Sequence, residues 1–282
     1  NEPEKAIAQY LKLLKVNPKN PDAYNNIGLI YETDFKNLEK AQEYYLKAIE
    51  IDSLYSLGYN NAGDLNFKKE EYLKAIEYYS KAIELDPKVD WYYYMRAIPY
   101  LKLGMYSEAE ADYLKAIELG PNEEDYYLNL GNLYKEYLDE PEKAITQYLK
   151  ILEFNPKYLA AYNNLGTAFM YKLQNNEKAE EYFLKAIEID PTQYYPYRNL
   201  GELNVIKENY LKAIEYYSKA IELAPEQSGL YYLRTTPYEE LQMYSEAEAD
   251  YLKAIELFSE NEDYYRYLAN FYSDNLNEPE KA

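Results

Sequence analysis

The chain of 282 residues contains no cysteine and no histidine, and only one tryptophan. Without these two residue types there is no Ser-His-Asp triad, no Cys-His nucleophile, no cysteine or histidine zinc site and no disulfide framework. Cationic side chains are also scarce: 30 Lys and Arg stand against 50 Asp and Glu, a formal charge of −20. Phosphate binding needs a clustered basic surface, so nucleic acid is not an expected partner. No apolar run approaches the ~18 residues that would read as membrane-spanning, and membrane insertion is not expected. The phosphate cradles Gly-x-Gly-x-x-Gly and Gly-x4-Gly-Lys are missing, as is an Asp-rich calcium loop. Carboxylate pairs abound, but 50 acids on amphipathic helices produce pairs by chance. The expectation is a non-enzymatic chain without cofactor or metal. A cytoplasmic location is expected, with a removed leader left open by the missing initiator Met.

Apolar residues make up 48 % of the chain, enough to bury a sizeable core, and 40 residues are tyrosine. Part of the tyrosine excess, alongside Lys, Asn, Ile and Glu, is what an AT-rich gene produces. The informative feature is self-similarity. Lys-Ala-Ile-Glu returns at 47–50, 74–77, 81–84, 115–118, 185–188, 212–215, 219–222 and 253–256. Gly28 and Gly63 stand 35 residues apart, as do Gly131, Gly166 and Gly201 in turn. Around Gly28, Tyr24, Ile27 and Tyr31 share one face of a helix; Ala41, Tyr45 and Ala48 share one face of a second. A proline closes the unit at Pro87, Pro121, Pro156, Pro191 and Pro225.

This pattern, Trp/Tyr-x2-Leu-Gly-x2-Tyr followed by Ala-x3-Phe/Tyr-x2-Ala and Pro, resembles the tetratricopeptide repeat along essentially the whole chain. The fold class is then all-α, a helix-turn-helix α-solenoid of about eight repeats. The resemblance implies a right-handed superhelix with first helices on the concave face and second helices outside. In that frame 1–20 is an orphan second helix. Repeats follow at 21–55, 56–89, 90–123, 124–158, 159–193, 194–227 and 228–261, and 262–282 is a truncated repeat. Their lengths run 35, 34, 34, 35, 35, 34, 34, and the chain matches itself best at an offset of 138 residues. Roughly 60 % of positions agree at that offset, and Met105 to Leu119 is identical to Met243 to Leu257. A four-repeat cassette has been duplicated, and the array is expected to be continuous.

Counting from the first residue of each repeat, the resemblance places positions 2, 5, 6, 9, 12 and 13 on the inner face. Position 6 carries Asn26, Asn61, Asn129, Asn164 and Asn199. This series looks like the asparagine ladder of the O-linked N-acetylglucosamine transferases, whose amides can hold a peptide backbone without reading its side chains. The alternative is that these amides serve only the neighbouring helix. Trp91, Tyr94, Arg198 and Tyr232 are the other candidate contacts on this face, since Tyr, Trp and Arg most often anchor interfaces. The third repeat of each cassette departs from the pattern: Arg96 and Arg234 replace an apolar residue at position 7, and Pro99 and Pro237 stand inside the first helix. A kink is expected at each proline. Two readings of these repeats stand open, a specialised patch and a local change of curvature.

The expected function is an interaction scaffold holding an extended peptide or protein partner in its groove. The alternative is a structural segment that assembles head to tail. It is motivated by the identical Glu-Pro-Glu-Lys-Ala runs at 2–6 and 278–282 and by the apolar stripe of Ile7, Tyr10, Leu11 and Leu14.

Overall fold

The computed structural model describes residues 2–275, and every regular element among them is helical. The first helices of the repeats are α2 (Pro21–Thr33), α4 (Ser56–Lys68), α6 (Asp90–Lys102), α8 (Glu124–Glu136), α10 (Leu159–Thr167), α12 (Tyr194–Ile206), α14 (Ser228–Glu240) and α16 (Glu262–Asn275). They alternate with the second helices α1 (Glu2–Val16), α3 (Leu38–Ile51), α5 (Tyr72–Leu85), α7 (Tyr106–Leu119), α9 (Pro141–Phe154), α11 (Asn176–Ile189), α13 (Tyr210–Leu223) and α15 (Tyr244–Leu257). The chain forms two compact units that divide within α9, after Gln147. In the first unit α2, α4 and α6 each pack on the second helix that follows, and α3, α5 and α7 pack on the next first helix. The second unit repeats the arrangement with α10 to α16.

Local chemistry explains where the helices start. Asn20, Asn37 and Asn175 cap their helices by accepting from the backbone N–H of Ala23, Lys40 and Lys178 at 2.8, 2.9 and 3.0 Å. Neither Pro99 nor Pro237 interrupts its helix. At 13 residues, α6 and α14 match α2, α4, α8 and α12.

The core is a register of small residues around one ring. Ala41 and Ala48 flank Tyr45, Ala75 and Ala82 flank Tyr79, Ala179 and Ala186 flank Phe183, and Ala213 and Ala220 flank Tyr217; all are buried. Each ring lies against the repeat glycine of its first helix. A Cβ on Gly63 would stand 2.7 Å from the Tyr79 ring, and one on Gly201 would stand 2.6 Å from that of Tyr217. A side chain at either position would meet the ring well inside contact distance, so glycine sits mid-helix although it is a poor helix former.

The alternation of 34 and 35 residues has a defined place. Between the two helices of a repeat one residue takes left-handed backbone: Lys36, Glu70, Gly104, Asp139, Gln174, Glu208 and Gln242. In 34-residue repeats the following N–H donates to the carbonyl five residues back, as Glu71 to Asn66 at 2.9 Å and Met243 to Tyr238 at 2.8 Å. In 35-residue repeats it reaches six back, as Asn37 to Tyr31, Glu140 to Tyr134 and Asn175 to Phe169, each at 2.8 Å. The added residue widens the last turn, and after α10 it appears as a π-helical segment, Ala168–Lys172.

Gln242 occupies, at φ 56°, the conformation that Gly104 adopts at φ 72° in the other cassette. Left-handed backbone is strained for a side chain and free for glycine, so Gln242→Gly is expected to stabilise the protein by roughly 0.5–1 kcal/mol. A thermal unfolding scan should show a Tm raised by about 1–2 °C; an unchanged or lowered Tm would contradict this account of the turn.

Candidate functional site

Adjacent first helices touch at α2–α4, α4–α6 and α12–α14. The face they share holds most of the side chains singled out from the sequence. The asparagine ladder follows one geometric rule. The position-6 amide donates to the position-5 side chain of the preceding repeat: Asn61 to Asn25 Oδ1 at 2.7 Å, Asn199 to Asn163 Oδ1 at 2.7 Å, and Asn129 to the Tyr94 hydroxyl at 3.1 Å. Tyr267 obeys the rule with a ring instead of an amide, stacking on Tyr232 with centroids 4.7 Å apart. Asn26 makes no such bond among the described residues, while the Asn164 backbone carbonyl accepts from the Thr167 hydroxyl. The ladder is therefore an inter-repeat fastening in these three places, in keeping with the plainer of the two sequence readings.

The acids on this face are fastened as well. Tyr45 donates from its hydroxyl to Glu32 at 2.6 Å, and Lys68 of the next repeat closes on the other oxygen. Tyr79 donates to Asp64 at 2.6 Å, and Tyr251 to Glu239 at 2.7 Å. Burial pushes the Asp64 carboxyl up to about 6, with the neighbouring Glu32 charge adding to it. Burial and the carboxylate partners likewise hold the Tyr45 and Tyr79 phenols above the ordinary tyrosine range. These tyrosines thus serve both the core, through their rings, and the first-helix face, through their hydroxyls.

Arg96 and Arg234 are bonded within the chain. Arg96 grips Asp112 with two bonds, Nε to Oδ2 at 2.8 Å and Nη2 to Oδ1 at 2.7 Å, and donates a third to Ser80 Oγ at 2.9 Å. Arg234 repeats this on Asp250 at 2.8 and 2.8 Å and on Ser218 at 2.7 Å. The guanidinium of Arg96 also lies between the rings of Tyr93 and Tyr100. This places the guanidinium between the second helices α5 and α7. The partners were visible in the sequence: Asp112 and Asp250 replace the first ring of the aromatic pairs Tyr78-Tyr79 and Tyr216-Tyr217, in the same repeats where arginine replaces an apolar residue.

What remains available lies at position 2 and position 5. Trp91 is 44 % exposed and rests on Tyr94 with centroids 5.3 Å apart. Arg198 is half-exposed and stands 3.6 Å from Glu202, a looser pairing than that of Arg96. Arg198 and Tyr232 meet at a cavity between α12 and α14. Among the described residues no group of three or more acids is placed to hold a metal ion, and no helix is long and apolar enough to cross a membrane.

Comparison with known proteins agrees with this architecture. Tetratricopeptide-repeat models match residues 21–53, 56–89, 78–111, 124–158, 159–193 and 196–227, and a TPR-repeat model matches 1–34 and 99–136. The chain belongs to the tetratricopeptide-repeat family. It is similar to YrrB, a TPR protein described as having an unusual peptide-binding site, at 28 % identity over 66 % of this chain and 95 % of that one, with a TM-score of 0.54. MamA aligns at 26 % identity over 61 % of this chain and 92 % of its own, with a TM-score of 0.55. A tetratricopeptide repeat protein from Parabacteroides merdae shares the fold over 90 % of this chain and 99 % of its own, at 20 % identity and a TM-score of 0.68. Comparison with curated protein sequences gives no match.

The arginine–aspartate pair makes a sharp test. Arg96→Leu alone leaves the Asp112 carboxylate buried without its partner and is expected to cost roughly 3 kcal/mol or more. Adding Asp112→Tyr recreates the pairing found in the ordinary repeats and should recover most of that loss in urea unfolding. A double variant as unstable as the single one would show that the arginine has another role.

Proposed function

We propose that this chain is a non-catalytic scaffold that holds an extended peptide segment of a protein partner along the face of its first helices. The observation that carries the proposal is the division of labour on that face. Asn61, Asn129 and Asn199 and the acids Glu32, Asp64 and Glu239 are tied into the repeat packing, whereas Trp91 and Arg198 keep exposed surface at positions 2 and 5 and Tyr232 borders a cavity. Aromatic and arginine side chains are the usual anchors of an interface, and the aromatic ones have little rotamer freedom to lose on binding. The similarity to YrrB, whose description includes a peptide-binding site, supports the same reading. A charge of −20 keeps nucleic acid outside the proposal.

The test is selection from a phage-displayed library of random 16-residue peptides. Enriched peptides are expected to lose at least tenfold in affinity against the Trp91→Ala or the Arg198→Glu variant, at unchanged helix content. No enrichment, or binding indifferent to both changes, would overturn the reading.

A second reading, head-to-tail association of copies through α1, is favoured by one comparison between the cassettes. Ala144, Tyr148 and Ile151 are fully buried, whereas their counterparts Ala6, Tyr10 and Leu13 are not, and Leu13 is 40 % exposed. The α1 face is thus shaped to receive a first helix. Sedimentation over a range of concentrations should then show assembly that Leu13→Glu abolishes; a monomer at every concentration would rule it out.

A further inference from the structure

The two cassettes can be superposed residue for residue in sequence, and they differ most usefully at one place on the first-helix face. In the first cassette Trp91 lies over Tyr94. At the offset of 138 residues Tyr94 becomes Tyr232, but Trp91 becomes Gly229. Where the indole stood there is now a cavity of about 270 Å³, bordered by Tyr194, Arg198, Gly229, Leu230, Tyr232 and Leu233. Gly229 is not a packing requirement, unlike Gly63 or Gly201. A Cβ added there would meet nothing closer than the Tyr264 hydroxyl at 4.0 Å, and its backbone is not left-handed. Glycine is a poor helix former, so at this site it weakens its helix without easing any contact. What it does is leave the space above Tyr232 empty.

The residues around the cavity also differ between the cassettes. Asn60 of the first cassette becomes Arg198, Ser56 becomes Tyr194 and Tyr92 becomes Leu230. In the first cassette Ser56 and Tyr92 are bonded to each other at 3.2 Å. In the second their places hold a tyrosine and a leucine, so that polar contact is gone, and Tyr194 and Leu230 line the cavity beside Gln227. The cation at the rim is only loosely engaged, at 3.6 Å from Glu202.

We propose that this cavity receives a large aromatic side chain of the bound peptide, in the place that Trp91 fills from within the chain, and that Arg198 takes a carboxylate of an acidic residue beside it. The inference rests on the reading of the first-helix face as the peptide-binding face and narrows it to a peptide class. Tyr194, Tyr232 and Leu233 supply apolar area with a hydrogen-bonding edge, and the guanidinium can both pair with a carboxylate and lie over a ring.

Fluorescence anisotropy with the fluorescein-labelled peptide Gly-Ser-Glu-Trp-Glu-Ser-Gly tests this. The wild-type chain is expected to bind it at least tenfold more tightly than the version with Ala for Trp. Gly229→Trp, which rebuilds the first-cassette arrangement, should remove that tenfold preference. Arg198→Glu should weaken the Glu-flanked peptide several-fold more than a Gln-flanked one. Circular dichroism melting shows whether Gly229→Trp folds; if it does not, the surface variant Arg198→Glu and the Trp-to-Ala peptide decide the matter. Failure of the wild-type chain to bind the Trp peptide, or an Ala peptide that binds equally well, overturns the pocket. If the phage library yields binders whose affinity ignores Gly229→Trp, the pocket falls while the peptide-binding face stands.

Discussion

The structure depends on one contact, the second-helix ring seated on first-helix glycine. Because Gly63 and Gly201 carry no side chain, the rings of Tyr79 and Tyr217 reach the helix backbone itself. The flanking alanines let the two helices approach just as closely on either side. The seat also fixes where the hydroxyl of each tyrosine goes. Tyr45 and Tyr79 pass across the repeat and end on Glu32 and Asp64. A single residue thereby fills the core and satisfies an acid on the opposite face, so packing and surface chemistry are not independent here.

The third repeat of each cassette solves the same packing problem differently. Ala97 and Thr235 stand where the other complete repeats have glycine, and a bidentate ion pair takes the place of a second-helix ring. Such a pair carries a desolvation penalty that its own attraction roughly offsets, so its value lies in geometry more than in stability. It ties three successive second- and first-helix positions, Ser80, Arg96 and Asp112, into one register. Both cassettes retain this device intact, whereas the first-helix face around Trp91 and Gly229 has diverged between them.

Helices, repeat unit and duplication were legible in the sequence because each is a periodicity, and periodicity survives substitution. The buried ring of each aromatic pair was legible for the same reason. The role of the ladder was not, because it depends on the offset between neighbouring first helices: Asn61 reaches Asn25, at position 5 of the repeat before, and no spacing within one repeat announces that. The Arg96–Asp112 pair could have been found from the joint replacement of two residues in the same repeats. The cavity at Gly229 needed both parts, the cassette alignment to show what was lost and the structure to show that nothing else filled the space.

The account therefore assigns packing to the residues that the cassettes share and recognition to the first-helix positions where they differ. Hydrogen–deuterium exchange measured with and without a library-selected peptide tests this division most directly. Protection confined to peptic fragments from the first helices α6, α12 and α14, with the second helices α13 and α15 unchanged, is the predicted result. Protection centred on α13 and α15, or spread evenly over all helices, would contradict it.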